Sequence, residues 1–350
     1  MESLLIGFHK ELSELKSLIQ FYELESELHD NFDFNNGSKE NILLEKLSTQ
    51  IKTFKLAKLQ FNYNSIIISL YGSFERFIEN CLVTYVESIN KLINQYIDLP
   101  EVISKNHFTL SLALINKIEQ PKYSGPLRKE EIIKNLHLCI NTNEAYQLNK
   151  DAFAQHSANF RLQVVEEAFS QIGINQISQK ILKTQSFNDY CIEIFGESES
   201  GFNVSIAFQK LNELAEYRNY VAHGITSEII QNEILIEYLR FFIEYSRALI
   251  IVLSNDLLYR EIEAKGIELG DITDTYHDGK IVCFMTNNIS LKKGDTLIGK
   301  NKNSIIKTRI VSIKLNDQIT DTIDDQNNYE IGVELLENFK RSFKIFVIKD

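Results

Sequence analysis

Arg218, Asn219 and His223 fall together in residues 211–224, LNELAEYRNYVAHG. A guanidinium presents a planar fork of donors that matches phosphate oxygens, and an imidazole takes up or releases a proton near neutral pH. Sharing a site, the two can hold a phosphodiester and move protons on and off it, a chemistry that calls for no metal. Asn219 and His223 are four apart, hence on one helical face and within hydrogen-bonding reach. Arg218 stands about 140° round an ideal helix from His223, so the two converge only if something as large as a phosphate sits between them. The alternative is a surface arginine and a helix-terminal histidine that only satisfies carbonyls.

The segment holding these residues has to be a helix that stops in the right place. Leu211, Leu214, Ala215, Val221 and Ala222 follow a helical period, with Asn212, Glu213 and Glu216 on the other side. Gly224 suits the left-handed position just past a helix C-terminus. Thr226 and Ser227 ahead of Glu228, Ile229 and Ile230 read as the capped start of the next helix. His223 thus falls in a last turn, where the negative end of the helix favours a cation.

A second stretch, SIIISLYGSFERFIENCLVTYVESIN at residues 65–90, sets Tyr71, Phe74, Glu75 and Phe77 in a Y-x-x-F-E-x-F frame. Glu75, beside Arg76 in mid-helix, either orients Arg218 or His223 across a bundle or plays an intrahelical, buried structural role.

The two stretches resemble the HEPN superfamily. Arg218, Asn219, His223 and the trailing Gly224 match its signature helix. The frame at residues 71–77 is similar to the early helix of its ribonuclease-like groups, the RiboL-PSP-like group and its neighbours. The resemblance implies an all-helical, usually dimeric domain, often a metal-independent endoribonuclease of toxin–antitoxin or anti-phage systems. It implies catalytic roles for Arg218, Asn219 and His223 and supporting roles for Tyr71 and Glu75. Some members cut no RNA, commonly those that have lost the Arg or the His.

Composition bounds this reading. At 350 residues, 44% apolar and 11% aromatic, the chain is a folded protein with room for two domains. Cys81, Cys139, Cys191 and Cys283 form no C-x-x-C pair and have no His at ligand spacing, so reduced thiols and a cytoplasmic setting are expected. Glu2, His9, Lys10 and Glu11 interrupt any apolar run at the start, and the longest such runs elsewhere are too short for a bilayer, so neither secretion nor membrane insertion is expected. Residues 1–265 carry 25 Lys and Arg against 35 Asp and Glu; residues 266–350 carry 12 against 13. An acidic helical part repels RNA at long range, so a nuclease here needs a local positive field or a selected, structured RNA. A basic partner is the other use for such a surface.

Periodicity predicts a helix over residues 2–28, a break at residues 31–37, and a second helix capped by Ser38 and running to 97 with a kink near 62–64. Shorter helices are predicted at 107–119, 128–140, 149–156, 160–172 and 186–195. A loop at 196–201 precedes the signature helix at 203–223, and a last helix spans 228–262. The region between the two stretches, about 100–200, reads as a helical insertion packed on the bundle.

After Gly266 the pattern changes to short strands, with a turn at Asp278 and Gly279. Even spacing predicts a small closed antiparallel barrel, since closure removes exposed edges. Lys292, Lys293, Gly294 and Asp295, the TRIVSIKLND strand and hairpin at residues 308–317, and the I-G-V-x-L run at residues 331–335 resemble the second-domain barrel of translation GTPases, which contacts tRNA and the ribosome. No P-loop occurs, so a GTPase is excluded.

The expected architecture is therefore an all-α HEPN-type bundle over residues 1–265 followed by a β-barrel over 266–350. H-E-x-x-H, G-x-S-x-G, Rossmann and EF-hand patterns are absent. The acidic run at residues 321–325 reads as a solvated loop, and neither a metal nor a cofactor is expected. The function expected is RNA cleavage to 2′,3′-cyclic phosphate ends, of tRNA or ribosome-associated RNA, by a homodimeric toxin or defence effector with an antitoxin or partner protein. The alternative is a non-catalytic scaffold of a defence or stress complex, and a weaker third reading is a nucleotide-sensing domain that uses the same Arg–His pair.

Overall fold

Two long helices open the chain. α1 (Glu2–Asn31) buries Phe8, Leu12 and Ile19 and leaves its other faces to solvent, as an amphipathic repeat dictates. α2 (Lys39–Leu92) is apolar on several faces from Ile66 onward, and its second half is accordingly the centre of the helical core. Phe8 stacks on Phe77 at 4.5 Å, joining the two. The computed structural model describes residues 1–31, 39–121, 123, 125–141, 145–198, 201–225 and 229–349. The expected break after residue 31 and the Ser38 cap lie outside them. α2 runs unbroken through residues 62–64 and ends at Leu92, short of the predicted 97.

Shorter helices follow: α3 (Glu101–Lys117), α4 (Lys129–Ile140), α5 (Lys150–Phe153), α6 (Leu162–Gln171), α7 (Ile177–Leu182), α8 (Gln185–Phe195) and α9 (Val204–Ala207). α3 starts six residues before the predicted 107 because Pro100, immediately before it, starts a helix without needing an N–H there. α7 was not expected. The predicted signature helix is two helices, α9 and α10 (Gln209–Ala222), separated at Phe208, which leaves helical geometry (φ −109°, ψ 15°) while fully buried. The last helix, α11 (Asn232–Lys265), starts four residues later than predicted; the capping residues proposed for it at 226–228 lie outside the described residues. No helix among the described residues is long and apolar enough to cross a membrane.

By contacts the chain forms two units, Met1–Asn90 with Asn94–Val252, and Lys91–Ile93 with Leu253–Asp350. The second contains the strands β1 (Gly266–Asp271), β2 (Asp274–Tyr276), β3 (Ile281–Met285), β4 (Leu291–Lys292), β5 (Thr296–Lys300), β6 (Ile305–Leu315), β7 (Gln318–Thr320), β8 (Thr322–Ile323), β9 (Glu330–Leu335) and β10 (Lys344–Ile348). Both predicted turns are present. Asp278 and Gly279 have positive φ, and Asp295 closes the turn at 292–295 by accepting from the Lys292 N–H at 3.1 Å. A side chain at Gly279 would meet the Phe339 carbonyl at 1.9 Å, so that position requires glycine.

The closed barrel is not what forms. The antiparallel sheet runs β1-β10-β5-β6-β9-β3-β2, with β7 added on β6, and it is open, because β1 and β2 stand at its two ends. The core is covered by bending instead. β6 shifts register between Ile310 and Ser312 and pairs with β5 along its first half and with β9 along its second. Leu297, Ile345 and Val347 from one half thereby meet Val282, Phe284 and Val333 from the other in one apolar cluster. The opposite face of β5 and β10 is covered as well: Ile298, Phe346 and Ile348 pack on Ile262 from the end of α11. A strand buried on both faces reads as the continuous apolar run of β10.

Candidate active site

The C-terminal end of α10 carries the three signature residues, and local chemistry fixes where it ends. Gly224 takes φ +64° and donates to the Val221 carbonyl, and the Ile225 N–H reaches back to the Tyr220 carbonyl at 2.9 Å. These two bonds form a Schellman stop, which leaves His223 as the cap residue just past Ala222, with its side chain exposed.

Arg218 and Asn219, about one turn earlier, are half-buried. The Arg218 guanidinium lies over the Tyr71 ring, 5.5 Å from its centroid. Tyr71 is itself fixed twice: its hydroxyl accepts from the Phe160 N–H at 3.0 Å and donates to Glu75 at 3.4 Å. Burial, and then the neighbouring Glu75 carboxylate, push the phenol well above its ordinary range, so it stays neutral beneath the cation. Asn219 accepts through its side-chain oxygen from Asn159 at 2.6 Å and, more distantly, from Arg218 at 3.4 Å.

Of the sequence-predicted residues, the structure therefore gathers Arg218, Asn219, Tyr71 and Glu75 into one contiguous network. Glu75 reaches Arg218 only through Tyr71, not by a direct ion pair. His223 stands outside that network. Its ring makes no hydrogen bond among the described residues, and the expected side-chain contact with Asn219 is replaced by the Asn159–Asn219 bond. The link between residues 219 and 223 is the backbone bond of the helix, 3.0 Å. Five residues of α-helix separate Arg218 from His223 by roughly 7–8 Å along the axis, room for a phosphate.

Three further residues escaped sequence reasoning. Asn159 and His156 belong to the segment between α5 and α6. His156 sits 2.8 Å from Glu79 and 3.4 Å from Glu75. Among the described residues, Glu75, Glu79 and His156 alone form a cluster able to share a metal ion. Glu75 and Glu79 carried a readable signal, a carboxylate pair at i, i+4 on one helix face. His156 carried none.

The two stretches that carry the resemblance meet in the helical unit, where Arg218 lies over Tyr71. The RiboL-PSP-HEPN family model matches residues 35–255, and the chain belongs to that family. Membership points to an RNA-related nuclease or a nucleotide-binding function. No curated protein matches the chain.

Proposed function

We propose that this protein is a metal-independent endoribonuclease acting on RNA in the cytoplasm. The observation that carries the reading is the placement of Arg218, braced over neutral Tyr71, at the same open helix end as the exposed imidazole of His223. The 2′-hydroxyl attacks the adjacent phosphorus and the bond to the 5′-oxygen breaks, leaving a 2′,3′-cyclic phosphate and a 5′-hydroxyl. His223 takes the proton from the 2′-hydroxyl or gives one to the 5′-oxygen. Arg218 binds the non-bridging oxygens as charge gathers on them, a contribution of roughly 3–4 kcal/mol for one preorganised donor. The Asn219 amide N–H group, with its oxygen held by Asn159, is left to donate to the phosphate.

Cleavage needs two proton carriers, and His223 is one per chain at this site. A homodimer that brings a second His223 to the phosphate completes the pair. Exposed apolar residues on α1 and α2, among them Phe21, Leu24, Leu43, Phe54 and Phe61, support association with another chain. The same residues favour the second reading, a non-catalytic scaffold of a defence or stress complex. Uncontrolled cleavage of tRNA or ribosome-associated RNA is toxic to its host, so the first reading includes a toxin or anti-phage effector held in check by a partner protein. Expression of wild type and His223→Ala in cells separates the two. Growth arrest and RNA cleavage by wild type alone supports the nuclease; identical behaviour of both supports the scaffold.

A further inference from the structure

Glu75, Glu79 and His156 offer one carboxylate or imidazole atom each, all within 4.8 Å of one another and each side chain 12–30% exposed. The carboxylates come from successive turns of α2 and the imidazole from the segment after α5. The His156 Nδ1 lies 2.8 Å from the carbonyl oxygen of Ala158, which can only accept, so Nδ1 carries a proton. Nε2 is thereby turned toward both carboxylates, the orientation in which a backbone carbonyl behind the ring prepares a histidine as a metal ligand. Nε2 lies 2.8 Å from Glu79 and 3.4 Å from Glu75, and Glu75 also accepts from the Tyr71 hydroxyl at 3.4 Å. A divalent cation serves both carboxylates and accepts the Nε2 lone pair. Ligand atoms of a tetrahedral zinc lie roughly 3.4 Å apart, a spacing these contacts already approach.

We propose that Glu75, Glu79 and His156 bind one divalent transition-metal ion of the zinc class, with water completing its coordination. Imidazole with two carboxylates is a borderline donor set that suits Zn²⁺ better than Mg²⁺ or Ca²⁺. The ion ties the segment at 154–161 to α2. That segment supplies Asn159 to Asn219 and the Phe160 N–H to Tyr71, so the metal is a structural latch behind the helix end and takes no part in bond cleavage. The inference rests on this cluster alone and stands whether or not the chain cuts RNA.

The test is Zn²⁺ binding by the full chain after chelator treatment, read as metal content after dialysis and as thermal stability. Wild type is expected to hold one Zn²⁺ more than His156→Ala and Glu79→Gln do, which controls for zinc on the cysteines. Its Tm should rise by about 5 °C or more at zinc a hundredfold above Kd, a shift missing from both variants. Should His156→Ala fail to fold, the near-isosteric Glu75→Gln and Glu79→Gln carry the comparison. Equal zinc content and equal Tm shifts in wild type and variants would overturn the proposal. So would a nitrogen NMR spectrum of the zinc-treated chain showing His156 protonated on both ring nitrogens.

Discussion

The Arg218 guanidinium lies 5.5 Å from the centroid of the Tyr71 ring, a cation set on a phenol that burial and Glu75 both keep neutral. The contact joins the two stretches of sequence that carry the family pattern. It also gives Arg218 a fixed direction, which a long, exposed side chain otherwise lacks.

A lysine at this position keeps the charge but loses both the planar fork and the stacking on Tyr71. Arg218→Lys is expected to lower the cleavage rate by about 10²–10³-fold, with the helical circular dichroism unchanged. Initial rates on a defined RNA check this; a rate within a few-fold of wild type would remove Arg218 from the chemistry.

Asn159 holds Asn219 from across the bundle at 2.6 Å. Asn159→Ala should cost about 1 kcal/mol of stability and free the Asn219 amide to rotate. We expect a rate loss of about tenfold, smaller than that of Arg218→Lys, in paired denaturation and rate measurements.

Away from the site, His107 is buried in the packing of α3 and accepts the Asn149 N–H through Nε2 at 2.9 Å, while its Nδ1 finds no partner. Burial pushes its pKa from about 6.5 down to about 4. Above pH 6.5 the ring is neutral in the folded and unfolded chain alike, and its contribution is intact. Between pH 6.5 and 4 the unfolded chain binds a proton that the folded chain refuses, so stability falls, by roughly 3 kcal/mol in all. Unfolding free energies at pH 7 and pH 4 should therefore differ more in wild type than in His107→Gln by about that amount; equal differences would contradict the assignment.

Gly224 sits at φ +64°, a conformation that costs an L side chain about 1 kcal/mol. Gly224→Ala is expected to lower Tm by about 2–4 °C, and Gly224→Asn by less, because asparagine tolerates the left-handed region. Scanning calorimetry decides it, and an unchanged Tm in Gly224→Ala would show that the Schellman stop does not hold His223.

What could be read in the sequence is what local physics decides. The stop at Gly224 follows from one glycine after an amphipathic run, and the face that buries Tyr71, Phe74 and Phe77 follows from helical spacing. The strands and their turns at 278–279 and 292–295 were legible for the same reason. His156 and Asn159 were not, because their partners Glu79 and Asn219 lie 77 and 60 residues away and only tertiary packing unites them. The break at Phe208 was hidden, since a buried phenylalanine fits a helical period whether or not the helix continues. Strand alternation likewise cannot distinguish an open sheet from a closed one: that choice lies in the pairing of β1 with β10 and in the bend of β6.

Mapping the cleavage ends tests the central claim most directly. Purified wild type, Arg218→Ala and His223→Ala are incubated with RNA in EDTA, and the termini of the products are sequenced by end chemistry. Cleavage by wild type alone, with 2′,3′-cyclic phosphate and 5′-hydroxyl ends, is the predicted result. Equal cleavage by His223→Ala, or 5′-phosphate ends that form only when Mg²⁺ is restored, would contradict it.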